Sequence, residues 1–339
     1  MLVQVDGWSG SGKSVLMYLL DGHPELYAHP FHDLLQFLFR KPITNEDWLR
    51  HKDIWELRKS MAQNTLYFRS ENFIRQGKYI IEYKSGVQLD YALTNDFSTI
   101  DKRIIEDILS NDEWTPDSLL RAFYSSFQYN LIPSQEPIDK FAFMGGWRGK
   151  DNLTSFAKLY PNSKQIVVKR SIKDTIAIQT GRKPVEIDFR SKDYNNKSVT
   201  DLLKRGEVQA YQKYYSRLER MSKDDPERVL IIDFDQLIKN RTQVMEDVCQ
   251  FLDISSQLNW SSSFLGQKIE YQGVDYSEAV FDSFEDLLTQ GEIKMIEKEL
   301  KMAERESKGS VFSGLNKTVK SVLKQNVRLS NKVIKKLGG

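Results

Sequence analysis

The chain reads as an α/β protein: a parallel β-sheet carrying a P-loop, sandwiched by helices in a three-layer α/β/α arrangement. Three features predict this. A Gly-rich loop stands between an apolar strand and an apolar helix within residues 1–20. Short β-branched runs then alternate with helical patterns along the chain. One run, Val229-Leu230-Ile231-Ile232, is apolar throughout, as in a strand buried on both faces.

The first strand is read from Leu2, Val3 and Val5, and the following helix from Val15 to Leu20. Between them, Gly7 to Ser14 fits G-x-x-x-x-G-K-[ST]. Glycines in such a loop let successive N–H groups converge on one point, and the helix N-terminus adds partial positive charge there. Lys13 brings a full charge to the same oxyanion. Ser9, Gly10, Ser11, Gly12, Lys13 and Ser14 are therefore the candidate phosphate-binding residues.

Gly22 and Pro24 end the first helix. Tyr27 to Asp33 is expected to return toward the loop mouth and enter a helix at Leu34, which makes His32 and Asp33 candidate general bases. Asp33 also suits the cap of that helix. Residues 43–75 read as helical. Lys78 to Glu82 reads as a second sheet strand, so Glu82 and Lys84 would lie beyond a carboxyl end, where α/β sheets bind ligands. Residues 87–140 read as helical and show no chemistry. A third strand, Phe141 to Met144, leads into a basic Gly-rich loop that includes Lys150, and a helix follows over 153–160. The fourth strand, Lys164 to Arg170, ends on two cations just before a helix start, a second anion site, with Arg182 further on.

Residues 186–206 are polar and unpatterned, as expected of a loop or lid. Helices are expected over 207–222, 241–252 and 284–306, with an irregular stretch over 259–276. The chain divides into a domain over 1–306 and a basic amphipathic tail over 307–339. That tail carries eight Lys or Arg residues and no Asp or Glu, which suits contact with anionic lipid or a partner.

Composition sets bounds. With 339 residues, 40% hydrophobic and 28% charged, the chain can bury a sizeable core. A net charge of +2 does not suit general nucleic-acid binding. The single cysteine, Cys249, allows no intramolecular disulfide and no Cys-rich zinc cluster, and its apolar helical setting predicts a buried thiol. Neither a leader nor a membrane span is read before or after the loop, so a cytoplasmic location is expected, with or without membrane association.

Four segments resemble the sulfotransferase family, in particular its bacterial and carbohydrate-directed branches. Gly10 to Glu25, with Asp21-Gly22-His23-Pro24, resembles the family's 5′-phosphosulfate loop and its "D-x-H-P" ending. Tyr160 to Asp174 resembles the segment whose Arg, here Arg170, holds a 3′-phosphate. Val229 to Leu237, followed by Cys249-Gln250-Phe251-Leu252, resembles "Y-E-D-L … C-x-F-L". Arg148 to Asn152 resembles the "K-T-P" segment. Three features depart: Ile172 stands where the family has Pro, two residues after the 3′-phosphate Arg, and two more follow. The loop ends Gly12-Lys13-Ser14 rather than Gly-Thr-Thr, and Ile178 stands where the family has Ser, about eight positions after that Arg, with Gln179 and Thr180 beside it.

The resemblance implies sulfuryl transfer from 3′-phosphoadenosine 5′-phosphosulfate to a hydroxyl or amine, on a saccharide or glycolipid, with no metal. Lys13 would stabilise the leaving phosphate, His32 or Asp33 would take the acceptor proton, and Arg170 with Arg182 would hold the 3′-phosphate. Glu82, Lys84 and Lys150 would face the acceptor. The alternative is a Mg-ATP-dependent P-loop kinase or NTPase. There Ser14 would bind Mg²⁺ and Asp233 would be the second carboxylate.

Overall fold

A computed structural model of the chain describes residues 1–32, 138–145, 160–180, 197–257 and most of 259–305. It also describes short pieces at 79–82 and 88–91, and a few residues between 121 and 128. The expected helices over 34–75 and 153–159 lie outside the described residues, as do most of 87–140, residues 181–196 and the tail.

Five parallel strands form the central sheet, in the order β2-β5-β1-β6-β7. These are β1 (Leu2–Gly7), β2 (Tyr27–His32), β5 (Phe141–Met144), β6 (Lys164–Lys169) and β7 (Val229–Asp233). β1 is central and pairs with both β5 and β6, so the loop leaving it emerges mid-sheet.

Alternate residues of each strand supply two cores. On one face, Val3, Val5, Ile166 and Val168 pack with α1 (Lys13–Leu20) and with Met245, Val248 and Cys249 of a later helix. On the other, Val167 and Val229 pack against Ile172 and Ile176 of α2 (Ile172–Gln179), then Val199 and Leu202 of α3 (Val199–Lys204). Tyr211, Tyr215 and Leu218 of α4 (Glu207–Asp224) complete that face with Ile293 and Ile296. On the first face, α5 (Phe234–Lys239) runs into α6 (Arg241–Leu252), with Asn240 between them. Helices on both faces of a parallel sheet are the three-layer arrangement expected.

Several elements differ from the sequence expectation. Residues 27–32, read from sequence only as a return toward the loop mouth, form an edge strand. Pro30 and two histidines obscure it, and an edge is where a strand tolerates proline; the register also shifts between Ala28 and His32. β3 (Tyr79–Glu82) does not join the sheet. It pairs antiparallel with β4 (Gln88–Tyr91) in a separate hairpin. Within the expected lid, Val199–Lys204 is helical because the Ser198 hydroxyl accepts from Asp201 N–H at its start. The stretch after Asn259 is not irregular throughout: it contains short two-residue strands, including Glu270–Tyr271 against Val274–Asp275. The last helical region is broken, with α8 (Phe284–Leu287) separated from a helix over 290–305; α7 (Tyr276–Ala279) precedes both.

Candidate active site

The loop between β1 and α1 is shaped by close backbone approaches. A Cβ on Gly7 would stand 2.6 Å from the Val168 carbonyl oxygen of β6. Gly12 has φ +90° and caps α1, and a Cβ there would meet the Phe234 ring at 2.1 Å. Glycine is required at both positions. Lys13 folds back over the loop: its Nζ donates to Gly7 O at 3.2 Å and lies 3.9 Å from Asp6 Oδ1. Asp6 is buried and accepts from Gly7 N–H at 2.7 Å, which fixes the strand-to-loop turn.

Side chains from three helices wall the loop. From α2, Gln179 Nε2 donates to Ser9 O at 3.1 Å, and Ile178 lies where a Cβ on Gly10 would reach it at 3.3 Å. From α4, Tyr215 reaches Trp8 N–H and Glu207 reaches the Trp8 indole. From α5 comes Phe234. Ser11 is fully buried, and the Ser14 hydroxyl donates to Met144 Sδ at 3.5 Å.

Arg170 follows β6, at the same carboxyl end of the sheet as the loop. It is buried, and its guanidinium carbon sits 4.4 Å from the centre of the Phe234 ring. One aromatic ring thus backs both Gly12 and Arg170. The two anion sites read from sequence are neighbours across Phe234. The ring itself has no signal in the sequence beyond its place in the Phe234-Asp235-Gln236-Leu237 segment. Nearby, burial raises the Asp235 carboxyl pKa, and the charges of Asp233 and Asp174 raise it further.

The remaining candidates divide. Residue 32 ends β2 opposite Met144, which is opposite Val5 of β1, so its backbone is at the carboxyl edge of the sheet. Asp33, Lys84, Lys150 and Arg182 lie outside the described residues. The reason for placing Glu82 at the site does not hold, because it ends a hairpin strand opposite Gln88 and not a strand of the parallel sheet. Asp233 is exposed and its Oδ1 accepts from Gln236 N–H at 3.0 Å, as the cap of α5. It sits on edge strand β7, with β6 between it and β1. Gln179 and Thr180, beside the position where the resemblance expects Ser, spend their polar groups on the Ser9 and Ala177 carbonyls.

The "D-x-H-P-E" residues have a structural task. Asp21 Oδ2 accepts from Ser263 Oγ at 2.6 Å, and His23 Nε2 meets Ser255 O at 2.9 Å. Glu25 accepts from the Ser255 hydroxyl and from Ser255 N–H at 3.0 Å, and these two bonds lower its pKa. Together they tie the end of α1 to the segment after α6.

The Gly-rich loop with Lys13, beside a buried Arg170 on a shared ring, suits a ligand with two separate phosphates. Among the described residues no cluster of His, Cys, Asp and Glu suits a metal ion.

Comparison with curated proteins found no match. Among solved structures, the sulfotransferase domain of the Synechococcus PCC 7002 olefin synthase is similar, at 14% identity and a TM-score of 0.46, covering 90% of this chain and 94% of that one. The sulfotransferase domain of the curacin biosynthetic pathway is 15% identical with a TM-score of 0.40, covering 88% and 96%. A sulfotransferase of Mycobacterium tuberculosis H37Rv is 12% identical with a TM-score of 0.36, covering 88% and 75%. The sequence profile described as "Sulfotransferase family" matches residues 11–257, from the loop through the segment docked by His23 and Glu25. This span is well over half of the 339 residues, and the chain belongs to the sulfotransferase family.

Proposed function

We propose that this enzyme moves a sulfuryl group from 3′-phosphoadenosine 5′-phosphosulfate to a hydroxyl or amine on a saccharide or glycolipid. The observation that supports this most is the Phe234 ring shared by Gly12 of the phosphate loop and by Arg170. A nucleotide with a 5′ and a 3′ phosphate would use both sites at once. The donor supplies the activated sulfuryl group; the chain supplies charge and a base. Lys13 and the loop N–H groups would stabilise the leaving phosphate, and such donors, when preorganised, are worth about 3–4 kcal/mol each at a transition state. Arg170, with Arg182, holds the 3′-phosphate. His32 or Asp33 takes the acceptor proton, a role worth about 10²–10⁴-fold. Lys84 and Lys150 are assigned to the acceptor side. Positive charge comes from side chains, so no metal is required.

The Gly12-Lys13-Ser14 ending is the one feature that favours Mg-ATP chemistry. Its second carboxylate, Asp233, is engaged as a helix cap on an edge strand. Calorimetry separates the two. Adenosine 3′,5′-bisphosphate is expected to bind equally with Mg²⁺ and with EDTA, and more tightly than ADP or ATP. Binding of ATP alone, and only with Mg²⁺, would replace sulfuryl transfer by the kinase or NTPase assignment.

We also assign peripheral contact with anionic membrane to the basic tail over 307–339. No helix among the described residues is long and apolar enough to cross a membrane.

A further inference from the structure

Glu207, Tyr211 and Tyr215 are spaced i, i+4, i+8, so they form one stripe along α4. Each reaches a different part of the site. Glu207 Oε1 accepts from Trp8 Nε1 at 2.8 Å. The Tyr215 hydroxyl accepts from Trp8 N–H at 3.1 Å and donates to Val168 O at 2.8 Å. The Tyr211 hydroxyl donates to Arg170 O. The rings of Tyr211 and Tyr215 are 4.5 Å apart, and Tyr214 packs on Trp8 at 5.4 Å.

Val168 is the last β6 partner of β1, opposite Gly7. Just beyond that pair the two strands part: one becomes the phosphate loop, the other runs to Arg170. The Tyr215 hydroxyl bridges them at the parting point, and Tyr211 secures the next turn of the β6 side. All of these groups are buried, so each bond is made away from competing water.

We infer that Tyr211 and Tyr215 are positioning residues. They hold the phosphate loop and Arg170 at one fixed separation, so that a nucleotide with both phosphates binds with the advantage of two sites engaged together. The inference rests on the donor assignment above. Neither hydroxyl needs to touch the ligand. Burial raises both phenol pKa values well above the usual range, so both stay protonated and able to donate.

Tyr211→Phe and Tyr215→Phe remove one oxygen each and keep the ring packing. Three ligands are titrated calorimetrically against each full-length variant: adenosine 3′,5′-bisphosphate, AMP and adenosine 3′-monophosphate. Thermal melting follows the fold in parallel. In either variant the bisphosphate is expected to lose about tenfold in affinity, and the monophosphates less than about threefold. A rigid separation matters only to a ligand that spans it. Equal losses for all three ligands would overturn the inference and leave the hydroxyls a purely structural role; so would no loss at all. If the wild-type chain shows no preference for the bisphosphate over either monophosphate, the donor assignment falls, and the inference with it. A second variant at the other tyrosine guards against one substitution failing to fold.

Discussion

Arg170 is the residue to which the proposed function assigns the 3′-phosphate. Its side chain is buried, and its guanidinium lies over the Phe234 ring. Arg170→Ala is expected to weaken adenosine 3′,5′-bisphosphate binding about 100-fold, from loss of a charge-assisted contact, while ADP changes less than about threefold. Equal losses for both nucleotides, read by calorimetry, would remove the 3′-phosphate role. His29 makes a different point. It is buried on β2, close to Tyr27 and Tyr124, and burial lowers its pKa to about 3 from 6.5. The unfolded chain therefore takes up this proton first as pH falls. The His29 contribution to stability is complete above pH 6.5 and is lost toward pH 3, by about 1.4 kcal/mol per pH unit. Replacing it in His29→Gln should flatten that part of a stability profile measured by denaturant titration; an unchanged slope would mean the imidazole is not held neutral. Cys249, buried with its thiol pushed up to about 11, is a core side chain and not a nucleophile.

The element that organises the site is the turn from β1 to α1, because three helices are fitted against it. Gly12 shows how tight the fit is. Any side chain there would meet an aromatic ring, in a backbone conformation that only glycine adopts freely. Gly12→Ala is expected to destabilise the protein by at least about 1–3 kcal/mol and to abolish nucleotide binding in whatever remains folded. A variant that melts and binds as the wild type does would show that Phe234 is free to move away. At the other end of α1, Asp21, His23 and Glu25 bind the chain after α6, so the loop helix is anchored at both termini.

Across the whole molecule, charge is nearly balanced, at +2. The tail over 307–339 is the exception, and its eight basic residues give it its own electrostatic behaviour. Deleting the chain after Glu306 is expected to abolish co-sedimentation with vesicles of phosphatidylserine and phosphatidylcholine, and to leave nucleotide binding by the remaining domain unchanged. Vesicle binding that survives the deletion would place any membrane contact elsewhere.

The phosphate loop, β5, β6, β7 and the helices at 207–224 and 241–252 are written in local patterns: glycine spacing, β-branched runs and helical apolar stripes. Those patterns report short-range physics, which is why they can be read along the chain. The likeness of Arg170 to a 3′-phosphate residue was legible for the same reason, since its strand and the following helix cap are contiguous. Other features depend on contacts between distant residues. Pro30 and two histidines hide β2, and only pairing with Phe141 and Ala142 makes it a strand. Tyr79–Glu82 has strand character, but its partner is the adjacent 88–91 and not the sheet. Asp233 follows an apolar strand, as a metal-binding carboxylate would, yet it caps a helix. Phe234 joins the two anion sites only because β7 ends beside them, and Trp8 meets Tyr215 across 207 residues of chain. Residue types and spacing mark which groups are candidates to bind phosphate. Their separation, and hence which phosphates they can bind together, is set by sheet order and by the packing of α4 and α5 against it.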